Sequence, residues 1–320
     1  MKAVVVSETI GPEGMEVRDI PEPDTEGKVL IDVRATGVSY PDLLIAQGKY
    51  QFKPEPPFVL GAEVAGVVLS APDDSSFAAG DRVMAVTTLG GYAERVAIDP
   101  TRVMRLPDEL SFEQGAAMVM NYQTMEFALG TRARQQVGET VLVLGAGGGI
   151  GAAAIQIAKI RGARVIAVVR RPGAEDHLRS IGADDVVALG DGWAQRVRDS
   201  VGGGGVDIIV DPVGGDAFDD AIRVLAPGGR LLVLGFAAGS IPAVKVNRLL
   251  LRNVAVVGAA FGEWIRGRPG DLVTLSAALH EHVRQGLRPE VGERFAFEDT
   301  AAALTALADG KVLGKAVVMQ

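Results

Sequence analysis

The sequence predicts an α/β protein in which a mainly β first domain is joined to a doubly wound, six-stranded parallel sheet. Three observations carry this expectation. β-Branched runs at residues 29–33, 64–69 and 83–86 are separated by Gly, Pro and Asp turns, the grammar of short strands. From Gly138 onward, apolar runs of four or five residues alternate with helical segments, as in a sheet buried on both faces. Between the first of these runs and an apolar helical stretch stands a turn rich in glycine, residues 145–151.

The strands of the parallel sheet are expected at 141–144, 165–169, 185–187, 206–210, 230–234 and 254–257, which with intervening helices make a doubly wound domain. The glycines at 202–205 read as a surface turn within it. After residue 261 the pattern returns to amphipathic helix and short strand, and the apolar residues 316–318 are expected to rejoin the first core. The predicted organisation is therefore discontinuous: 1–122 plus 262–320 form the first domain, and 123–261 the inserted one.

At 320 residues and 48% hydrophobic, the chain is long enough for two cores. Lys and Arg total 32 against 40 for Asp and Glu, and the formal charge of -8 disfavours phosphate backbones and anionic lipid. The first apolar run meets Glu8 too early for a signal-peptide core, and no later run has the length of a membrane span. A cytoplasmic location, with neither nucleic acid nor membrane as partner, is expected. There is no cysteine, which removes disulfides, thiolate metal sites and a thiol nucleophile. His177, His280 and His282 are expected to be solvated surface residues, and no metal site is predicted.

The strongest chemical signal is the run Val141-Leu142-Val143-Leu144-Gly145-Ala146-Gly147-Gly148-Gly149-Ile150-Gly151. A buried strand, a tight turn and a helix N-terminus bring free N–H groups and a positive dipole end to one spot, where a pyrophosphate can sit. Gly148 admits the phosphates and Gly151 lets the helix pack on the strand. The register is A-x-G-x-x-G, beginning at Ala146. Where the second strand ends, an NAD-binding chain usually carries an acid for the ribose 2′-hydroxyl. Here Arg170 and Arg171 stand instead, and two guanidinium groups suit a 2′-phosphate, so the predicted cofactor is NADPH.

Read end to end, the chain resembles the zinc-independent quinone oxidoreductases (zeta-crystallin-like) of the medium-chain dehydrogenase/reductase superfamily. The residues that carry the resemblance are Gly37-Val38-Ser39-Tyr40-Pro41-Asp42, Gly61-Ala62-Glu63-Val64-Ala65-Gly66, Gly80-Asp81-Arg82-Val83, Gly91-Tyr92-Ala93-Glu94, the glycine turn, Asp211-Pro212-Val213-Gly214-Gly215 and Gly314-Lys315. It implies a GroES-like catalytic domain and a Rossmann domain. In zinc-dependent members a cysteine stands where Ser39 does and a histidine where Ala62 does, so the resemblance implies metal-free reduction. It further implies that Ser39, Tyr40 and Tyr50 form the catalytic, substrate and nicotinamide cleft, with Thr124 near the nicotinamide. Val213, Gly235 and Phe236 would lie along the cofactor, with Lys315 closing over it. Many members carry asparagine at the position of Ser39 and some a tyrosine at that of Leu44. A lysine and a tyrosine often found near the 2′-phosphate are replaced by Ala174 and Leu189, which puts more weight on the two arginines.

The reaction these readings imply is hydride transfer from NADPH to a small electrophile, a quinone or an activated alkene, with a tyrosine or serine hydroxyl bonding the developing oxyanion. Two other readings stay open: an enoyl-thioester reductase, and an NADPH-binding structural or sensor protein with little turnover. The apolar edge strand near residues 253–259 predicts a homodimer paired across a two-fold axis.

Overall fold

The computed structural model describes residues 1–320, the side chain of Pro269 excepted. The chain divides into two compact units, one of Met1–Asn121, Arg268–Val283 and Arg288–Gln320, the other of Tyr122–Gly267 with Arg284–Leu287.

The first unit is built on a seven-stranded sheet. Its order is Val291–Ala296, Lys315–Met319, Val29–Gly37, Glu63–Ser70, Arg82–Val86 and Val103–Arg105, with Arg95–Ile98 also paired to Val29–Gly37. A three-stranded sheet places Lys2–Val6 between Met15–Asp19 and Phe58–Val59. The strand Val29–Gly37 is buried at every second residue from Val29 to Val33 and then continuously from Ala35 to Gly37. That change of period is the mark of a strand passing from a half-solvated face into a core. At its end, Lys315–Met319 pairs antiparallel with it, Val317 opposite Gly37. The short helix Tyr40–Ala46 follows at once, started by a local device. Ser39 accepts the N–H of Asp42 on its side chain, and Asp42 returns the bond to the backbone N–H of Ser39, a reciprocal cap.

The second unit holds a six-stranded sheet in the order Asp185–Ala188, Arg164–Val169, Thr140–Leu144, Val206–Asp211, Leu225–Val233, Ala255–Gly258, with every pair parallel. This is the doubly wound arrangement predicted, and its topological switch lies between Thr140–Leu144 and Val206–Asp211. Val141, Leu142, Val143 and Leu144 are all buried, as are Ile208, Ile209 and Val210. Such two-sided burial is why these strands read as continuous apolar runs rather than alternating ones. The strand Leu225–Val233 begins well before the expected residue 230, through Ala226-Pro227-Gly228-Gly229. Pairing extends across that turn-like stretch because Val206 registers with Leu225 before the ladder slips and resumes at Ile208 and Arg230.

Two features escape a periodicity argument. The helix Phe112–Glu126 runs on into a π-helical turn, Phe127–Arg132, in which the Phe127 ring packs tilted against Trp264 at 5.0 Å and against Phe261 at 6.1 Å between centroids. The histidines are also not solvated as expected. All three are half-buried, and a ring nitrogen of His280 lies 3.0 Å from the carbonyl of Arg105. Helix positions 276, 279, 280 and 283 share one inward face, and that face recruits the imidazole. Among the described residues no helix is long and apolar enough to cross a membrane, and no group of three or more His, Cys, Asp or Glu side chains could hold a metal ion.

Candidate active site

In the second unit the glycine turn is held by contacts that dictate its residues. Gly145 has φ of +62°, a left-handed conformation that glycine adopts without strain. A Cβ on Gly151 would lie 2.5 Å from the carbonyl oxygen of Gly145 and 2.6 Å from the Cα of Ala146, so the helix Gly149–Ile160 can approach the turn only with glycine there. A Cβ on Gly148 would meet nothing nearer than 3.6 Å, so the space above it is open. The first N–H groups of a twelve-residue helix therefore face an open, Cβ-free approach, which fits a diphosphate. Ala146 itself is buried and donates its N–H to the carbonyl of Val168. Its contribution is backbone, not side chain.

Three further predicted residues gather at the same end of the sheet. A Cβ on Gly145 would come within 2.8 Å of Cγ2 of Val213, and one on Gly214 within 3.1 Å of the Phe236 ring. Gly235 lies against the carbonyl of Pro212, where a Cβ would be 3.3 Å away. The turn after Val206–Asp211 is fixed by Asp211, whose Oδ1 accepts the N–H of Val213 at 2.9 Å and of Gly214 at 2.8 Å. Burial pushes the Asp211 carboxyl above its ordinary value, against the pull of those two N–H groups. Arg170 and Arg171 are exposed where the strand Arg164–Val169 ends, while Ala174 is buried beside them. Thr124 is half-buried on the helix Phe112–Glu126.

In the first unit Ser39 is buried to 9% exposure, Tyr40 is exposed, and Tyr50 is half-buried against the core formed around Leu43, Leu60 and Val318. Beneath Ser39 lies a polar cluster that the sequence did not announce. The Ser39 hydroxyl donates to Oδ2 of Asp42 at 2.6 Å, and the Tyr92 phenol reaches the same oxygen at 3.3 Å. Lys315 does not stand out in solvent as a mobile terminal charge. It is 4% exposed, and its ammonium is engaged by Oε1 of Glu63, which is fully buried. The strand Lys315–Met319 carries the lysine inward because it is an interior strand of the sheet, flanked on both sides. Burial pushes both Asp42 and Glu63 above the ordinary carboxylate range, opposed for Asp42 by the Ser39 bonds and for Glu63 by Lys315. Burial also holds the Tyr92 phenol well above its usual value.

Two sequence families meet in this chain. The profile described as "Alcohol dehydrogenase GroES-like domain" matches residues 25–108, and that described as "Zinc-binding dehydrogenase" matches 149–278. Quinone oxidoreductase-like protein 2 of Bos taurus is 36% identical over 302 residues, covering 93% of this chain and 86% of the relative. The chain belongs to the quinone oxidoreductase family of medium-chain dehydrogenase/reductases. A probable oxidoreductase from Mycobacterium abscessus superposes with a TM-score of 0.93 at 49% identity, covering 100% of this chain and 99% of the other. The quinone oxidoreductase of Thermus thermophilus, solved also as its complex with NADPH, has a TM-score of 0.86 at 35% identity over 100% of both chains. Family membership thus agrees with the GroES-like and Rossmann architecture.

Proposed function

We propose that the chain is an NADPH-dependent oxidoreductase that reduces a quinone or an activated alkene without a metal. The observation that carries this reading is the glycine turn with its open approach at Gly148 and two exposed guanidinium groups at the end of the neighbouring strand. The quinone oxidoreductase of Thermus thermophilus, related over its whole length, is an NADPH complex, which supports the same cofactor here. When bound, NADPH supplies a hydride. The N–H groups of Gly149, Ile150 and Gly151 would hold its pyrophosphate, with Gly147 and Gly148 leaving room, and Arg170 and Arg171 would pair its 2′-phosphate. Val213, Gly235 and Phe236 line its path, and Thr124 and Lys315 complete the set carried over from the family.

Ser39, Tyr40 and Tyr50 supply hydroxyl groups for the oxygen on which charge develops. Metal-free chemistry is supported by the donor set itself. Ser39 offers its hydroxyl to Asp42, Ala62 has no donor atom, and the nearby Glu63 is engaged by Lys315. The test is NADPH and NADH oxidation against a panel of quinones, enones and aldehydes. Turnover of at least one quinone or enone above the no-enzyme rate is expected, and silence across the panel would refute the reading. Arg170→Ala and Arg171→Ala are each expected to raise the Kd for NADPH by about tenfold, one charge-assisted hydrogen bond at roughly 1.5 kcal/mol, and to leave that for NADH unchanged. Equal losses for both coenzymes would remove the phosphate role.

The same reading includes a homodimer formed at the open edge of the parallel sheet. The strand Ala255–Gly258 has one neighbour only, and the helix Val246–Arg252, which leads into it along the chain, buries none of its residues. Val246 at 75%, Leu250 at 75% and Leu251 at 78% exposure make an apolar surface of a kind that monomers seldom leave in water. Light scattering is expected to give twice the chain mass for the parent and one chain mass for the Leu250→Glu, Leu251→Glu double variant. A monomeric parent at micromolar concentration would overturn this.

A further inference from the structure

The buried cluster of the first unit holds more acid than base. Two carboxyls, Asp42 and Glu63, face a single ammonium, Lys315, in an interior otherwise made of residues such as Val38, Leu43 and Ala316. Glu63 is fully provided for. Oε1 engages Lys315, Oε2 accepts the N–H of Met120 at 2.9 Å, and its stem is wedged where a Cβ on Gly37 would come within 2.7 Å. Among the described residues Asp42 has no contacting cation. Its Oδ2 accepts the Ser39 N–H at 2.9 Å, the Ser39 hydroxyl at 2.6 Å and the Tyr92 phenol at 3.3 Å, while Oδ1 is buried without a hydrogen-bond partner. An ionised Asp42 would leave one uncompensated negative charge and one bare carboxylate oxygen in an apolar core. One proton on Asp42 makes the cluster neutral. Of the five side chains, Ser39 is the most exposed, so it is the group through which that proton can pass.

We propose that Asp42 is kept as the neutral acid and stores the proton that completes the reduction, with the Ser39 hydroxyl as its outlet. This rests on the oxidoreductase reading above. In the protonated state the 2.6 Å contact reverses, so that Asp42 donates to Ser39 Oγ and the hydroxyl hydrogen of Ser39 is released toward the acceptor. The acceptor gains two electrons and a hydrogen as hydride, leaving the coenzyme oxidised. Its oxygen lone pair then takes the Ser39 proton as that O–H bond breaks, and Oγ is refilled from Asp42. The carboxylate so formed lies in the field of Lys315, which lowers the cost of its brief charge. After the product leaves, water returns one proton through Ser39. One hydride and one proton are consumed per turnover, and no group is left changed. Asp42 is thus a positioning residue, acting through Ser39.

The test pairs a spectrum with kinetics on the full-length protein. Infrared difference spectra at neutral pH between the parent and Asp42→Asn are expected to show the C=O stretch of a protonated carboxyl in the parent alone, shifted in heavy water. Absence of that band overturns proton storage whether or not any acceptor is turned over. With an acceptor the parent reduces, Asp42→Asn is expected to lower kcat by about a hundredfold, as for loss of a general acid, with KM for NADPH unchanged. Asp42→Glu is expected to restore part of it. Ser39→Ala is expected to lower kcat similarly while keeping the infrared band, and it decides the matter if Asp42→Asn does not fold. A Ser39→Ala protein with the parent's kcat and solvent isotope effect would overturn the outlet role. A parent that shows the band but reduces nothing would sink the functional reading and leave the buried acid standing.

Discussion

Gly151→Val is expected to lose coenzyme affinity by about a hundredfold, the equivalent of two charge-assisted hydrogen bonds at about 1.5 kcal/mol each. The new Cβ would strike backbone rather than a yielding side chain, 2.5 Å from the Gly145 oxygen and 2.6 Å from Ala146. Either the turn opens or the helix Gly149–Ile160 withdraws, and both remove N–H groups from the phosphates. The same overpacking is expected to cost about 3 kcal/mol of stability. Gly148→Ala separates the two effects. Its Cβ has room in the folded chain, so stability should hold while affinity falls, because the methyl group enters the approach the phosphates need. Fluorescence titration with NADPH beside denaturant unfolding checks both variants. Parent-like binding by Gly151→Val would mean that the turn does not grip the coenzyme.

Lys315→Met is expected to destabilise the first unit strongly. It leaves the Glu63 carboxylate buried without its cation, a loss of about 3–5 kcal/mol for one partner of a buried pair. The sign of the pH dependence follows from the raised values of Glu63 and Asp42, ordinarily 4.5 and 3.8. A carboxyl whose value is higher folded than unfolded takes up a proton on folding. Its stabilising contribution is whole below the unfolded value and disappears as pH rises through the folded one. Lys315→Met raises Glu63 further, so the variant should be more stable at about pH 5 than at about pH 8, more steeply than the parent. Adding Glu63→Gln removes the buried charge and should recover most of the loss. Urea unfolding at both pH values decides this, and a pH-independent loss would show that the charge is not what is missed.

Most of the architecture was legible because local pattern and global burial agree in the parallel sheet. Runs such as residues 141–144 and 208–210 are apolar throughout and are buried throughout, so period and place coincide. The glycine turn was legible for the same reason, since Gly145 answers the left-handed φ of its own turn and Gly151 a steric demand made within a few residues of itself. What was not legible depends on partners distant in sequence. Nothing local distinguishes Lys315 from a surface lysine, because Glu63 lies 252 residues away. Asp42 reads equally well as an ordinary helix cap, which it also is, and only the company of Glu63, Tyr92 and Lys315 marks it out. The histidine expectation failed through the same blindness. The carbonyl that meets His280 belongs to Arg105, 175 residues earlier. The π-helical turn at Phe127–Arg132 has no sequence period of its own, being held by rings that arrive with Phe261 and Trp264.

The seven-stranded sheet has a temporal consequence. The strand Lys315–Met319 slots between Val29–Gly37 and Val291–Ala296, so an early-made strand waits for one translated almost a whole chain later. The six parallel strands, from Thr140 to Gly258, emerge from the ribosome meanwhile and need nothing beyond their own span to pair. During synthesis the nucleotide-type unit can therefore mature first, while the other remains an open half-sheet whose bare edge is exposed to chaperones and to other nascent chains.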